Sequence, residues 1–182
     1  MKLRFAALAG ALLLVCAPFV SAADTYKVDA EKSKVDFVGK KSDGQHKGGF
    51  KKVTGEALVD LENPDNGKLT LEIDAASLWS DDSKLTDHLK NPDFFNVRKF
   101  PKITFESTKV EHTAEGEVTI TGKLTMLDKT VETKVPVKAE LNEGSIALNA
   151  KFKIDRSKWG MKYGEGKINN DVELEAVILL KK

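Results

Sequence analysis

The chain has 182 residues, 41% hydrophobic and 31% charged, with a net charge of +1 from 29 basic and 28 acidic side chains. That is enough chain for one domain with a true core, and the composition fits neither a disordered polymer nor a bundle of membrane helices. A balance this close to neutral supplies no general field for nucleic acid or an anionic membrane, so no nucleic-acid partner is expected.

The first element is a leader. Lys2 and Arg4 form a short basic region, Phe5 to Val15 is apolar, Pro18 follows, and Val20, Ser21, Ala22 and Ala23 precede the polar Asp24. This order is that of a secretory signal peptide over residues 1–22, cleaved after Ala22 or Ala23. The apolar run is shorter than the roughly 20 residues of a membrane helix, so no stable span is expected in the mature chain. Cys16, the single cysteine, lies in the segment expected to be removed, which leaves no thiol chemistry. Its use as a lipidated first residue is the alternative, but Leu13, Leu14 and Val15 ahead of it lack the small residue such processing favours. Export implies a periplasmic location and a mature domain over residues 24–182.

From Asp24 onward the pattern has period two, which places alternate residues on opposite faces of a strand. Short strands are expected at Tyr26 and Val28, at Val35, Phe37 and Val38, at Ala57, Val59 and Leu61, at Leu69, Leu71 and Ile73, and from Ile103 and Phe105 to near Val110. The second half alternates more cleanly. Val118, Ile120, Gly122, Leu124 and Met126 make one run, and Val131 to Leu141 another, with a register shift expected around Pro136. Ile146, Leu148, Ala150, Phe152 and Ile154 make a third, and Val172 to Leu180 the last. Turn signals separate them at residues 63–67, 115–116, 127–129 and 142–144. Strands rich in Val, Ile and Thr between short turns predict an all-β antiparallel meander of about eight strands, closed as a barrel or stacked as a sandwich.

One stretch departs from this alternation. Leu85 and Leu89 stand four apart, as on a helix, with Asp81, Asp82 or Ser83 as N-cap and Asn91-Pro92 as a stop. A short helix is expected near residues 81–90, followed by a loop with Phe94 and Phe95.

Catalytic signatures are absent. The chain has no G-x-S-x-G, no phosphate-binding G-x-x-x-x-G-K-[ST], no H-E-x-x-H and no C-x-x-C. His46, His88 and His112 are too widely spaced for a compact metal motif, so no metal and no cofactor is expected. Asp81, Asp82, Asp87 and Asp93 read as caps and a solvated face before they read as an acid pair. Lys40, Lys41, Lys47, Lys51 and Lys52 cluster around Phe50, either as a wet face or as a contact for a phosphate group.

Several stretches together resemble a known family. They are Ser33 to Phe37, His46 to Phe50 with Thr54-Gly55, His88 to Val97, Phe100 to Thr108, Thr121 to Thr125, and Ile154-Asp155-Arg156-Ser157-Lys158-Trp159-Gly160. In order and spacing they resemble the YceI-like proteins, over essentially the whole mature chain. Departures are Trp159 where Phe is usual, Leu85-Thr86 where many members have Arg-Asp, and Met126-Leu127-Asp128 where many have a Gly. The resemblance implies a lipocalin-like barrel with an apolar tunnel that binds a polyisoprenoid or other long-chain lipid. Tunnel residues are then Phe37, Ile73, Phe105, Leu124, Met126, Phe152, Ile154 and Ile178, with Phe94 and Phe95 over one mouth. No catalytic residue is implied. Two other readings compete: an enzyme acting on a lipid or its headgroup through His46, His88 or the nearby acids, and a stress-related structural protein with a filled core. No signature of a particular oligomeric state is present.

Overall fold

A computed structural model describes residues 23–182; the expected leader and Cys16 lie outside the described residues. The strands are β1 (Asp24–Val28), β2 (Lys34–Lys41), β3 (Gly44–Phe50), β4 (Val53–Val59), β5 (Lys68–Asp74), β6 (Leu78–Ser80), β7 (Lys102–Ala114), β8 (Glu117–Met126), β9 (Lys129–Asn142), β10 (Ser145–Asp155) and β11 (Ile168–Lys181); all but β3 and β6 fall on the alternating runs. One α-helix, α1 (Ser83–Leu89), follows β6, and one-turn 3-10 helices cover Pro64–Asn66, Ala75–Ser77 and Arg156–Trp159. Among the described residues no helix is long and apolar enough to cross a membrane.

The eleven segments are the parts of eight strands. β1 and β2 run in the same direction along β11, β1 beside Leu180 and Lys181 and β2 beside Ile168 to Val177. Likewise β3 and β4 continue one another along β2 and β1, and β6 continues β5 along β3. Every strand pairs with its sequence neighbours, and the first closes on the last, giving an up-and-down antiparallel barrel. Closure removes the unpaired edges an open meander would expose. Lys181 to Asp29 at 2.6 Å and Lys182 to Asp24 at 2.7 Å lie along this seam.

The turns carry the expected chemistry. Leu127 and Asp128 both take positive φ, 54° and 57°, as a two-residue hairpin between twisted strands requires. Pro136 does not shift the register: β8 and β9 pair without a break from Glu117↔Lys138 to Met126↔Lys129. The proline stands instead where the β9–β10 ladder ends at Val137↔Ala150, so its missing N–H costs that ladder nothing. The real irregularities are in β7, around Thr108 and Thr113, and in β11 between Ile168 and Val172.

Two breaches open in the wall, both at the end that carries the β2–β3 turn. β6 has a strand partner only on its β3 side, and α1 packs there. Beyond Ala150, β10 has left β9, and the turn Arg156–Trp159 fills that gap, packed against β9 and β11. Trp159, 2% exposed, donates its indole N–H to the Leu124 carbonyl at 3.1 Å and so fastens the turn to β8.

Candidate functional site

The inward faces of the strands do not fill the barrel. They enclose a cavity of about 230 Å³ whose wall is apolar except for Lys40, Lys41, His46, Thr133 and Arg156. Every residue expected on the tunnel wall is there: Phe37, Ile73, Phe105, Leu124, Met126, Phe152, Ile154 and Ile178, with Phe94 and Phe95 from the loop after α1. A second apolar cavity of about 220 Å³ lies toward the opposite end, where Leu58, Leu61 and Leu141 are exposed. Leu69, Ile120 and Leu148 belong to both walls, so these side chains form the waist between the two chambers.

Glycines explain how phenylalanines can line the space without filling it. Phe37 is paired with Gly48, and a Cβ built on Gly48 would meet its ring at 2.5 Å. The Phe105 ring lies in the same way against Gly122. Each ring therefore lies over bare backbone of the neighbouring strand, along the wall instead of across the lumen.

The cap is built from α1 and the loop to Phe100. Of the three candidate caps, Asp82 takes the role, accepting from the Leu85 amide at 2.8 Å. Leu85 and Leu89 then face the cavity, one helical turn apart. Phe95 meets Phe50 edge-on at 5.3 Å, and Phe94, His88 and Tyr163 meet one another edge-on or tilted, with centroids 4.7 to 5.2 Å apart. The turn at Asn96, with φ of 43°, folds the loop back so that its amide reaches the Asn91 carbonyl.

The polar groups separate into pairs. Asp81 accepts from the Lys47 amide at 2.8 Å and lies 3.0 Å from His46 Nδ1, which ties the β2–β3 hairpin to the start of the cap. The Lys47 amide, and then His46, hold the Asp81 carboxyl below its ordinary range. His88 Nε2 lies 2.9 Å from Asp93. Asp82 is spent on capping and Asp87 is exposed, so the acids do not converge as a pair. His112 lies at the other end of the barrel, on the second chamber. Among the described residues, no group of three or more His, Cys, Asp or Glu gathers in metal-binding reach. The lysine cluster disperses as well. Lys40 and Lys41 reach the cavity wall, while Lys51 sits over Trp79 and Lys52 lies 3.8 Å from Asp74.

Arg156, within the Ile154–Gly160 motif, is a wall residue outside the expected tunnel set. Its parity gives it away: it continues Phe152 and Ile154, and strand alternation carries one step into the turn. It is 4% exposed, with Nε directed to the Asn169 carbonyl and Nη2 to the Tyr163 and Ile168 carbonyls. Burial lowers its pKa, against the opposing pull of Asp155 and Glu165.

Comparison with known proteins agrees with this architecture. The model of the YceI-like domain matches residues 26–180. A UPF0312 protein of Pseudomonas putida strain GB-1 is 32% identical over 96% of this chain and 95% of its own length. A UPF0312 protein of Pseudomonas fluorescens strain SBW25 is 33% identical over the same shares. The crystal structure of BcnA from Burkholderia cenocepacia superposes with a TM-score of 0.78 at 27% identity, covering 84% of this chain and 98% of that one. A polyisoprenoid binding domain from Saccharophagus degradans shares the fold, with a TM-score of 0.66 at 15% identity over 86% of this chain and 97% of that one. With the barrel, the cavity and the spacing of its motifs in accord, the chain belongs to the family of YceI-like domain proteins.

Proposed function

We propose that this protein is a periplasmic carrier that holds a polyisoprenoid or similar long-chain lipid inside its barrel. The observation that carries the reading is the pair of apolar chambers meeting at Leu69, Ile120 and Leu148. Each CH₂ moved out of water into such a space is worth roughly 0.8 kcal/mol. A hydrocarbon chain is thus retained without polar contacts along its length. The fold neighbour from Saccharophagus degradans, a polyisoprenoid binding domain, supports the same class of ligand. The basic, apolar and small-residue order of residues 1–23 supports export.

The reading needs no catalytic step, and the polar groups offer none a clear place: the His46–Asp81 and His88–Asp93 pairs latch the cap and its neighbouring loops. Native mass spectrometry of protein purified from its own periplasm tests the proposal. A bound species that dissociates as a long-chain lipid is expected. A clean apo mass, together with no binding of added prenyl or acyl chains, contradicts it. N-terminal sequencing of the same material should begin at Ala23 or Asp24; a retained Met1 would overturn the export part alone.

A further inference from the structure

Four ionisable side chains line the main chamber: Lys40, Lys41, His46 and Arg156. All are basic, and no carboxylate joins them among the described residues. Strand register gathers them at one end. Ile154 pairs with Val172 and Val172 with Gly39, so Arg156 lies level with the β2–β3 turn that carries Lys40 and Lys41. Three of the four already have an acid. Lys40 is 2.7 Å from Glu173, Lys41 is 3.4 Å from Asp43, and His46 is 3.0 Å from Asp81.

Arg156 has none. It is the most buried of the four, and no ion pair forms to it among the described residues. Asp155, its neighbour in sequence, is occupied: one oxygen accepts from both the Ser157 amide, at 2.9 Å, and the Ser157 hydroxyl, at 2.6 Å. Carbonyl oxygens take Nε and Nη2, but Nη1 is buried without a partner. Those carbonyls account for the fastening of the 163–169 segment. They leave the guanidinium with no carboxylate in contact, only the more distant pull of Asp155 and Glu165, and with one nitrogen's donors unused, an arrangement that an anion in the chamber would complete.

We propose that Arg156 is the headgroup receptor of the chamber, and that the ligand is an anionic amphiphile, a carboxylate or phosphate ester on a long hydrocarbon chain. The inference rests on the lipid-carrier reading and adds the headgroup. The two N–H donors of the unpartnered Nη1 suit both carboxylate and phosphate oxygens. The head then sits beside Arg156 under the cap, with Lys40 and Lys41 adding positive potential, and the tail runs toward the waist.

The test compares matched pairs on delipidated wild-type protein by calorimetry: geranylgeranyl phosphate against geranylgeraniol, and palmitate against hexadecanol. Each anion is expected to bind about tenfold or more tighter than its neutral partner. Arg156→Gln should bring each pair to within about twofold, and an anion preference that survives it overturns the assignment. Whichever anion binds tighter identifies the source of the headgroup. Equal binding of anion and alcohol to wild type overturns the headgroup assignment and leaves the carrier reading standing. Failure of all four to bind overturns both. Should Arg156→Gln not fold, the double variant Lys40→Gln, Lys41→Gln decides: the anion preference should survive it, and its loss overturns the assignment to Arg156. Acidification that protonates palmitate should then erase its advantage over hexadecanol; an advantage that persists counts against the assignment.

Discussion

At the scale of single residues, the hollow interior depends on what is missing from two positions. Gly48 and Gly122 provide bare backbone against which Phe37 and Phe105 lie flat. Gly122→Ala should push the Phe105 ring toward the lumen, costing about 1–3 kcal/mol of stability by overpacking. It should also weaken binding of a C16 chain more than of a C8 chain; urea unfolding and a titration of both ligands check this. Trp159→Ala should cost about 3–5 kcal/mol, because it empties a buried site and removes the indole hydrogen bond to the Leu124 carbonyl. Alternation in the sequence made the inward strand residues legible, and the family resemblance, not alternation, pointed to the loop phenylalanines at 94 and 95. It did not make the cavity legible, since parity tells which way a side chain points and not how its ring lies once there. Arg156 shows the opposite case: its parity with Phe152 and Ile154 was visible, but a charge after a strand reads as solvent-facing until the turn that buries it is known.

At the scale of elements, the cap and the waist divide the labour. Asp81 joins the β2–β3 hairpin to the cap, and its carboxyl is held below the ordinary range by the Lys47 amide and His46. A lowered pKa means stabilisation that is fully present above the ordinary aspartate value of roughly 4 and is lost as pH falls through the lowered one. Urea midpoints should therefore fall on acidification below that range, and Asp81→Asn should shrink the fall; an undiminished fall would show that the latch carries no share of it. At the waist, Leu148→Trp should close the passage between the chambers. Short chains should bind as before and long ones lose affinity, with the cut-off read from a homologous series of fatty acids. The helix was legible from its cap signals and the Leu85–Leu89 spacing. The break between β1 and β2 was legible too, but β3 and β6 were not, because Gly44–Phe50 holds three glycines and no apolar alternation and Leu78–Ser80 is only three residues long.

At the scale of the whole molecule, binding and stability are linked. A ligand held only by the folded barrel adds about 2.7 kcal/mol at a free concentration of one hundred times its Kd. Delipidated protein should therefore melt at a lower temperature than protein as purified, and regain the difference on reloading; identical melting curves would argue that the chambers stand empty in use. The barrel order itself was within reach of the sequence, since a meander with short turns leaves few alternatives. Its closure has one further implication. Among the described residues, the ladder that joins the most distant parts of the chain is the one along which β11 meets β1 and β2, and there Lys182 already reaches Asp24. The circle of strands thus has no privileged starting point. Linking residue 182 to residue 23 by a short peptide and cutting the chain in the Asn142–Gly144 turn should yield a permutant with the same barrel, in which β10 and β9 become the first and last strands that must meet.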